Sequence, residues 1–108
     1  MTKHFNCSYK QLTVLDNFPE IIYGSFICNN NKLVDLQNGP KIVNQHYLCF
    51  DNKLISLRGG PKIVGWAFEI FGNYLTSLIY SPKIKRLRDF QKNHLLTLDY
   101  FPRHDEPL

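Results

Sequence analysis

Residues 52–64 read NKLISLRGGPKIV, and the same frame of Asn, two Leu, Pro, Lys and Ile stands 21 residues earlier, at 31–43 (NKLVDLQNGPKIV), and 21 later, at 73–85 (NYLTSLIYSPKIK). Three copies in one register identify an internal repeat, and self-similarity at such a period decides the architecture before any local propensity does. Weaker copies flank them. Leu12, Leu15, Pro19 and Ile21 precede, and Asn93, Leu95, Leu98 and Pro102 follow, the last one residue short because Pro82 and Pro102 are 20 apart. The chain therefore divides into five units, about 1–22, 23–43, 44–64, 65–85 and 86–108, forming one repeat domain over residues 1–108.

Within a unit, an aromatic residue (Phe5, Phe26, Tyr47, Phe68) is followed two positions later by Cys7, Cys28, Cys49 or Ile70. Alternate residues of a strand share a face, so aromatic and Cys or Ile point together into a core. All units run the same way, so these short strands pair in parallel. Asn31, Asn52 and Asn73 come where the chain must turn, and an inward amide there satisfies backbone groups that burial would otherwise leave unpaired. Lys10 takes this place in the first unit, which suits an end with nothing stacked beneath it. The two Leu give a second apolar edge. The Pro four residues later forbids a regular helix on the return leg, and the following Ile21–Ile22, Ile42–Val43 and Ile63–Val64 pairs carry it, extended, into the next strand. In the shortened last unit, the deletion falls between Ile84 and Phe90, so Leu87 or Arg88 takes the aromatic slot, with Leu87 favoured through a bulge or slip.

This pattern resembles the leucine-rich repeat. Ile42 or Val43 supplies the early apolar position, Tyr47 and Cys49 the strand pair, Asn52 the turn residue and Leu54 the next Leu. The 21-residue length and helix-free return leg are similar to the short repeats of bacterial effectors and of small phage and viral proteins. The resemblance covers about residues 5–102 and implies a β-solenoid-like fold: about five stacked coils with a short parallel sheet, irregular or extended return legs and little helix. It also implies that function is protein–protein binding, with a host defence or regulatory protein as the partner inhibited. Aromatics and Cys stand where the family usually carries Leu, and no capping helix is visible.

Composition agrees with a folded chain: 44% hydrophobic residues and 20% charged argue against disorder. The formal charge of +4 permits an acidic or nucleic-acid partner without requiring one. Met1 to Cys7 has one Lys and no apolar run of signal-peptide length, and no stretch approaches the length of a membrane span. The three Cys recur at the repeat spacing, which reads as core packing in a reducing cytoplasm rather than as a disulfide framework. The abundance of Asn, Lys and Ile hints at an AT-rich genome such as that of a phage or large virus.

Candidate contact residues are those on the strands that face away from the core. Neighbouring units stack them into two columns, Asn6, Ile27, Leu48, Glu69 and Asp89 beside Ser8, Asn29, Phe50, Phe71 and Gln91. The predicted partner-binding set is Ile27, Asn29, Leu48, Phe50, Glu69, Phe71, Asp89 and Gln91, an apolar centre with a polar rim. A second column, Lys41, Lys62 and Lys83, joined by Lys85, Arg86 and Arg88, offers the alternative of nucleic-acid binding. Open end units, at Phe5 and around Leu98, offer self-assembly into homo-oligomers. Trp66 is either an outer-surface anchor or packed. No cofactor, metal or catalysis is expected. Cys49 and His46 are three apart on a strand and so face opposite ways. Three Cys lack the fourth ligand of a closed zinc site, and neither a glycine-rich phosphate loop nor an H-E-x-x-H motif occurs.

Overall fold

The structure is a computed structural model and describes residues 3–88, with side chains described through Lys83. It is a wholly parallel β-sheet, and among the described residues it contains no helix. The strands are β1 (Phe5–Asn6), β2 (Ile21–Ile22), β3 (Phe26–Ile27), β4 (Ile42–Val43), β5 (Tyr47–Leu48), β6 (Ile63–Glu69) and β7 (Lys83–Arg88). Six follow the spatial order β1-β3-β5-β6-β4-β2, and β7 pairs with β6.

This order arises from two ladders. Phe5, Phe26, Tyr47 and Phe68 pair in succession through β1, β3, β5 and the end of β6. Ile21, Ile42 and Ile63 pair through β2, β4 and the start of β6. Every one of these pairings joins residues one repeat apart. The return-leg Ile–Ile and Ile–Val dipeptides are thus true strands, where the sequence suggested only extended chain. In unit four the corner between the ladders carries strand geometry throughout, so β6 runs unbroken from one to the other. Gly65 permits this, since a β-carbon there would lie 2.0 Å from Asn44 O.

The register slips at β7. Ile63 pairs with Lys83 rather than Ile84, the ladder shifts again between Val64 and Ala67, and Phe68 then pairs with Leu87. Leu87 is the residue expected in the aromatic slot, but the slip begins at Lys83, ahead of the 84–90 window read from the sequence. Two residues, Gly65 and Trp66, face a single residue on β7 at this point, which is the arrangement of a β-bulge. Asn93, Leu95, Leu98 and Pro102, with the whole tail, lie outside the described residues.

The core is the set of repeat positions. Phe26, Cys28, Leu33, Leu36, Val43, Tyr47, Cys49, Leu54, Leu57, Val64, Phe68, Ile70, Leu75 and Leu78 are all buried in one cluster. Its aromatic column packs edge to face, with centroids 4.9 Å apart for Phe18–Phe26, 5.1 Å for Phe26–Tyr47 and 5.5 Å for Tyr47–Phe68, the favoured arrangement for ring quadrupoles. Tyr47 differs from its Phe neighbours in a phenolic oxygen that is buried with no hydrogen-bond partner.

Asparagine ties the units together. Asn31 Nδ2 donates to Cys28 O at 2.9 Å in its own unit and to Cys7 O at 3.0 Å in the preceding one, while its Oδ1 accepts from Lys10 N and Leu12 N. Asn52 repeats this with Cys49 O and Cys28 O, both at 3.1 Å, and accepts from Leu33 N. Asn73 does so with Ile70 O and Cys49 O, and accepts from Asn52 N and Leu54 N. Each amide reaches back, never forward. In the first unit the equivalent position is exposed Lys10, whose backbone N–H donates to Asn31 Oδ1.

Two further columns are set by backbone conformation. Tyr9, Asn30, Asp51 and Gly72 all have φ between 53° and 73°, and Asn17, Asn38, Gly59 and Tyr80 between 59° and 77°. Asn, Asp and Gly accept this left-handed region readily, whereas Tyr does so only at a cost. Gly59 has a second reason to be glycine, because a β-carbon would lie 2.4 Å from Gln37 Cα.

Candidate functional site

The first ladder places the predicted contact columns by simple alternation. Phe26, Cys28, Tyr47, Cys49, Phe68 and Ile70 turn inward, so Ile27, Leu48, Phe50, Glu69 and Phe71 take the other face and remain partly exposed. Ile27 pairs with Leu48 and Leu48 with Glu69, which fixes one column. In the other, the rings of Phe50 and Phe71 lie parallel, 8° apart in tilt with centroids 4.6 Å apart. At the first unit the face turns polar. Asn6 Oδ1 accepts from Ser8 N and Ser8 Oγ, and the Lys3 ammonium sits over the Phe5 ring, 5.4 Å from its centroid.

Asn29 is the exception among the described candidates. It belongs to the Phe50 column but is buried, and its Nδ2 donates to Asn30 Oδ1 at 2.7 Å. Its side chain thus supports the turn and presents little surface. Asp89 and Gln91 lie outside the described residues.

Beneath this face the cysteines are free and packed. Burial pushes the Cys28 and Cys49 thiols well above their ordinary value, reinforced for Cys28 by neighbouring Cys49 and for Cys49 by Glu69. Half-buried Cys7 is raised too, again by burial, with Lys10 working the other way. Thiols so placed remain protonated at neutral pH and act as small apolar side chains. Among the described residues, no group of three His, Cys, Asp or Glu side chains is arranged to hold a metal ion. Also among these residues, no helix is long and apolar enough to cross a membrane.

No family model, curated protein or solved structure matches this chain. Its surfaces must be weighed on their own chemistry.

The second ladder exposes more apolar surface than sequence reasoning assigned to it. Ile21 and Ile63 are exposed, with Ile42 half-buried between them, and Tyr23 and Trp66 stand nearby at 57% and 50% exposure. Trp66 is neither fully packed nor free-standing, for its ring meets His46 edge to face at 5.1 Å. The signal for this row was present in the paired Ile-Ile and Ile-Val dipeptides: a strand one face of which is core must show its alternate residue to solvent. The basic column also takes shape here. Lys62 N donates to Lys41 O and Lys83 N to Lys62 O, which stacks the three lysines, and Lys41 Nζ donates to Gly59 O at 3.0 Å.

Proposed function

We propose that this chain is a non-enzymatic protein-binding module, built as a leucine-rich-repeat-like solenoid of about five coils and gripping its partner with the first-ladder face. Four observations of geometry support the solenoid: pairing one repeat apart in both ladders, the backward-reaching asparagines, the recurring left-handed turns and a core made mainly of repeat positions. A 21-residue unit cannot bury its own apolar edge, so stability comes from its neighbours.

The observation that carries the binding reading is the Phe50–Phe71 stack beside Leu48 and Ile27. Two phenyl rings held parallel on a rigid ladder form a flat apolar anchor at low entropic cost. Aromatic anchors of this kind dominate binding energy at protein interfaces, with a polar rim excluding water around them. The acidic Glu69 belongs to that rim; Asp89 and Gln91, assigned to it from the sequence, lie outside the described residues. The partner is a host protein, a defence or regulatory factor that a phage or viral protein blocks by occupancy in the host cytoplasm. That assignment follows from composition and from the resemblance to phage and effector repeats.

Leu48→Lys with Phe50→Glu tests the face. Both side chains point out of the core, so circular dichroism of the variant should match that of the parent while capture of the partner from native host lysate is lost. Retained capture removes the first-ladder face as the site. Ile42→Asp with Ile63→Asp, on the second ladder, is the matched control and should leave capture intact. Self-assembly is read separately by light scattering, and a nucleic-acid partner by the salt dependence of affinity.

A further inference from the structure

Between the second, third and fourth units, at the turn that precedes the second ladder, the surface opens into a cavity of about 430 Å³. The main chain of Gly59 and Gly60 lines it, together with Lys41, Lys62, Tyr80 and Ser81. The volume is that of a small-molecule pocket.

Three features of the lining point to one ligand chemistry. The first is charge: Lys41 and Lys62 sit in adjacent units, tied backbone to backbone at 2.8 Å, and both line the same hollow. Like charges in register repel, and among the described residues no carboxylate forms an ion pair with either, so an anion in the hollow would relieve the repulsion. The second is donor capacity. Lys41 uses one ammonium proton on Gly59 O and aims from a fixed position, while Lys62 is exposed and keeps all three. The third is Tyr80. Its counterparts in the earlier units, Asn17, Asn38 and Gly59, are residues suited to a left-handed turn, yet Tyr80 holds φ 71°. Strain of this kind collects where a side chain is needed in a fixed place. Here it sets a phenol ring, 58% exposed, in the same lining as the two lysines.

We propose that this cavity binds a small phosphorylated ligand carrying a flat ring, its phosphate held by Lys41 and Lys62 and its ring stacked on Tyr80. Nucleotides are the common molecules of that description. The site is separate from the first-ladder face, so neither reading depends on the other.

Amide chemical-shift titration of the ¹⁵N-labelled full chain tests it, with pyrophosphate, adenosine monophosphate and a single-stranded oligonucleotide as probes. Pyrophosphate and the nucleotide should both move the Gly59, Gly60 and Ser81 amides saturably. Lys62→Ala should weaken both by about tenfold, the worth of one charge-assisted contact. Tyr80→Ala should weaken the nucleotide while sparing pyrophosphate, and Lys32→Ala, remote from the hollow, should change neither. Lys62 and Tyr80 are exposed, so these variants keep the fold, and unchanged shifts elsewhere in the spectrum verify it. Absence of saturable shifts at millimolar probe overturns the proposal. So does an oligonucleotide that binds far more tightly than the mononucleotide and moves amides all along the lysine column, which would make the surface a nucleic-acid track.

Discussion

Replacing asparagines in the buried ladder should produce a specific pattern of non-additivity. Cys49 O is served by two amides, Asn52 Nδ2 and Asn73 Nδ2, each at 3.1 Å. Asn52→Ala removes one of these, together with one of the two donors to Cys28 O, and orphans Leu33 N. An orphaned buried N–H costs about 1–3 kcal/mol and each lost bond about 1 kcal/mol net, so the variant should lose about 3–5 kcal/mol. Asn73→Ala orphans two amides, Asn52 N and Leu54 N, and should cost more. In the double variant Cys49 O has no side-chain donor left. The two substitutions should therefore exceed their sum by about 1–3 kcal/mol, the cost of desolvating a carbonyl without a partner. Urea unfolding followed by circular dichroism measures all four corners of the cycle, in trimethylamine N-oxide if the double variant is otherwise unfolded. Additivity within about 0.5 kcal/mol would show that these amides do not share the carbonyl, and the account of how units are tied would fail. Lys10→Ala is the companion, expected to be neutral because the Lys10 side chain is exposed and only its backbone N–H takes part in the ladder.

Tyr47→Phe removes a buried hydroxyl that has no partner, so the variant should gain about 1 kcal/mol of stability in the same assay; a loss would mean that the hydroxyl has a hydrogen bond after all. Tyr9→Asn relieves a left-handed backbone at φ 56° on a side chain that is 74% exposed, and should raise the unfolding midpoint by the equivalent of about 1 kcal/mol. Stability should also fall at alkaline pH. Burial raises the Cys28 and Cys49 thiols and the Tyr47 phenol, so above the ordinary thiol value of 9.0 the unfolded chain releases protons that the folded chain keeps. The unfolded state then binds fewer protons, and the slope is negative, up to about 1.4 kcal/mol per pH unit for each group. Stability should be flat from pH 7 to about 8 and decline beyond, and Cys49→Val should make that decline shallower.

What the sequence made legible was the first ladder and its turns. The 21-residue step predicted the pairing of Phe26 with Tyr47 and of Tyr47 with Phe68, and the turn asparagines predicted their own burial. The second ladder was harder to read because two-residue strands such as Ile42–Val43 are too short to show alternation. The left-handed column Asn17, Asn38, Gly59 was visible as a run of turn residues, but Tyr80 and Tyr9, which lack any such preference, concealed its extent. In the candidate site, alternation placed Ile27, Leu48, Phe50, Glu69 and Phe71 on one face. It could not foresee that Asn29 would bond sideways to Asn30, since that depends on a rotamer rather than on spacing. The hollow between Lys41 and Tyr80 was equally out of reach, because it is formed by parts of three units and belongs to none of them.

The backward reach of the asparagines gives the chain a grain. Removing the fourth unit takes away Asn73 and leaves two backbone donors of the third, Asn52 N and Leu54 N, without their acceptor. Removing the first unit instead strands Asn31, whose Nδ2 would lose Cys7 O and whose Oδ1 would lose Lys10 N and Leu12 N. A gene that drops a repeat therefore leaves backbone N–H groups open at one side of the cut and a side-chain amide open at the other, and a point substitution can remove the second but not the first.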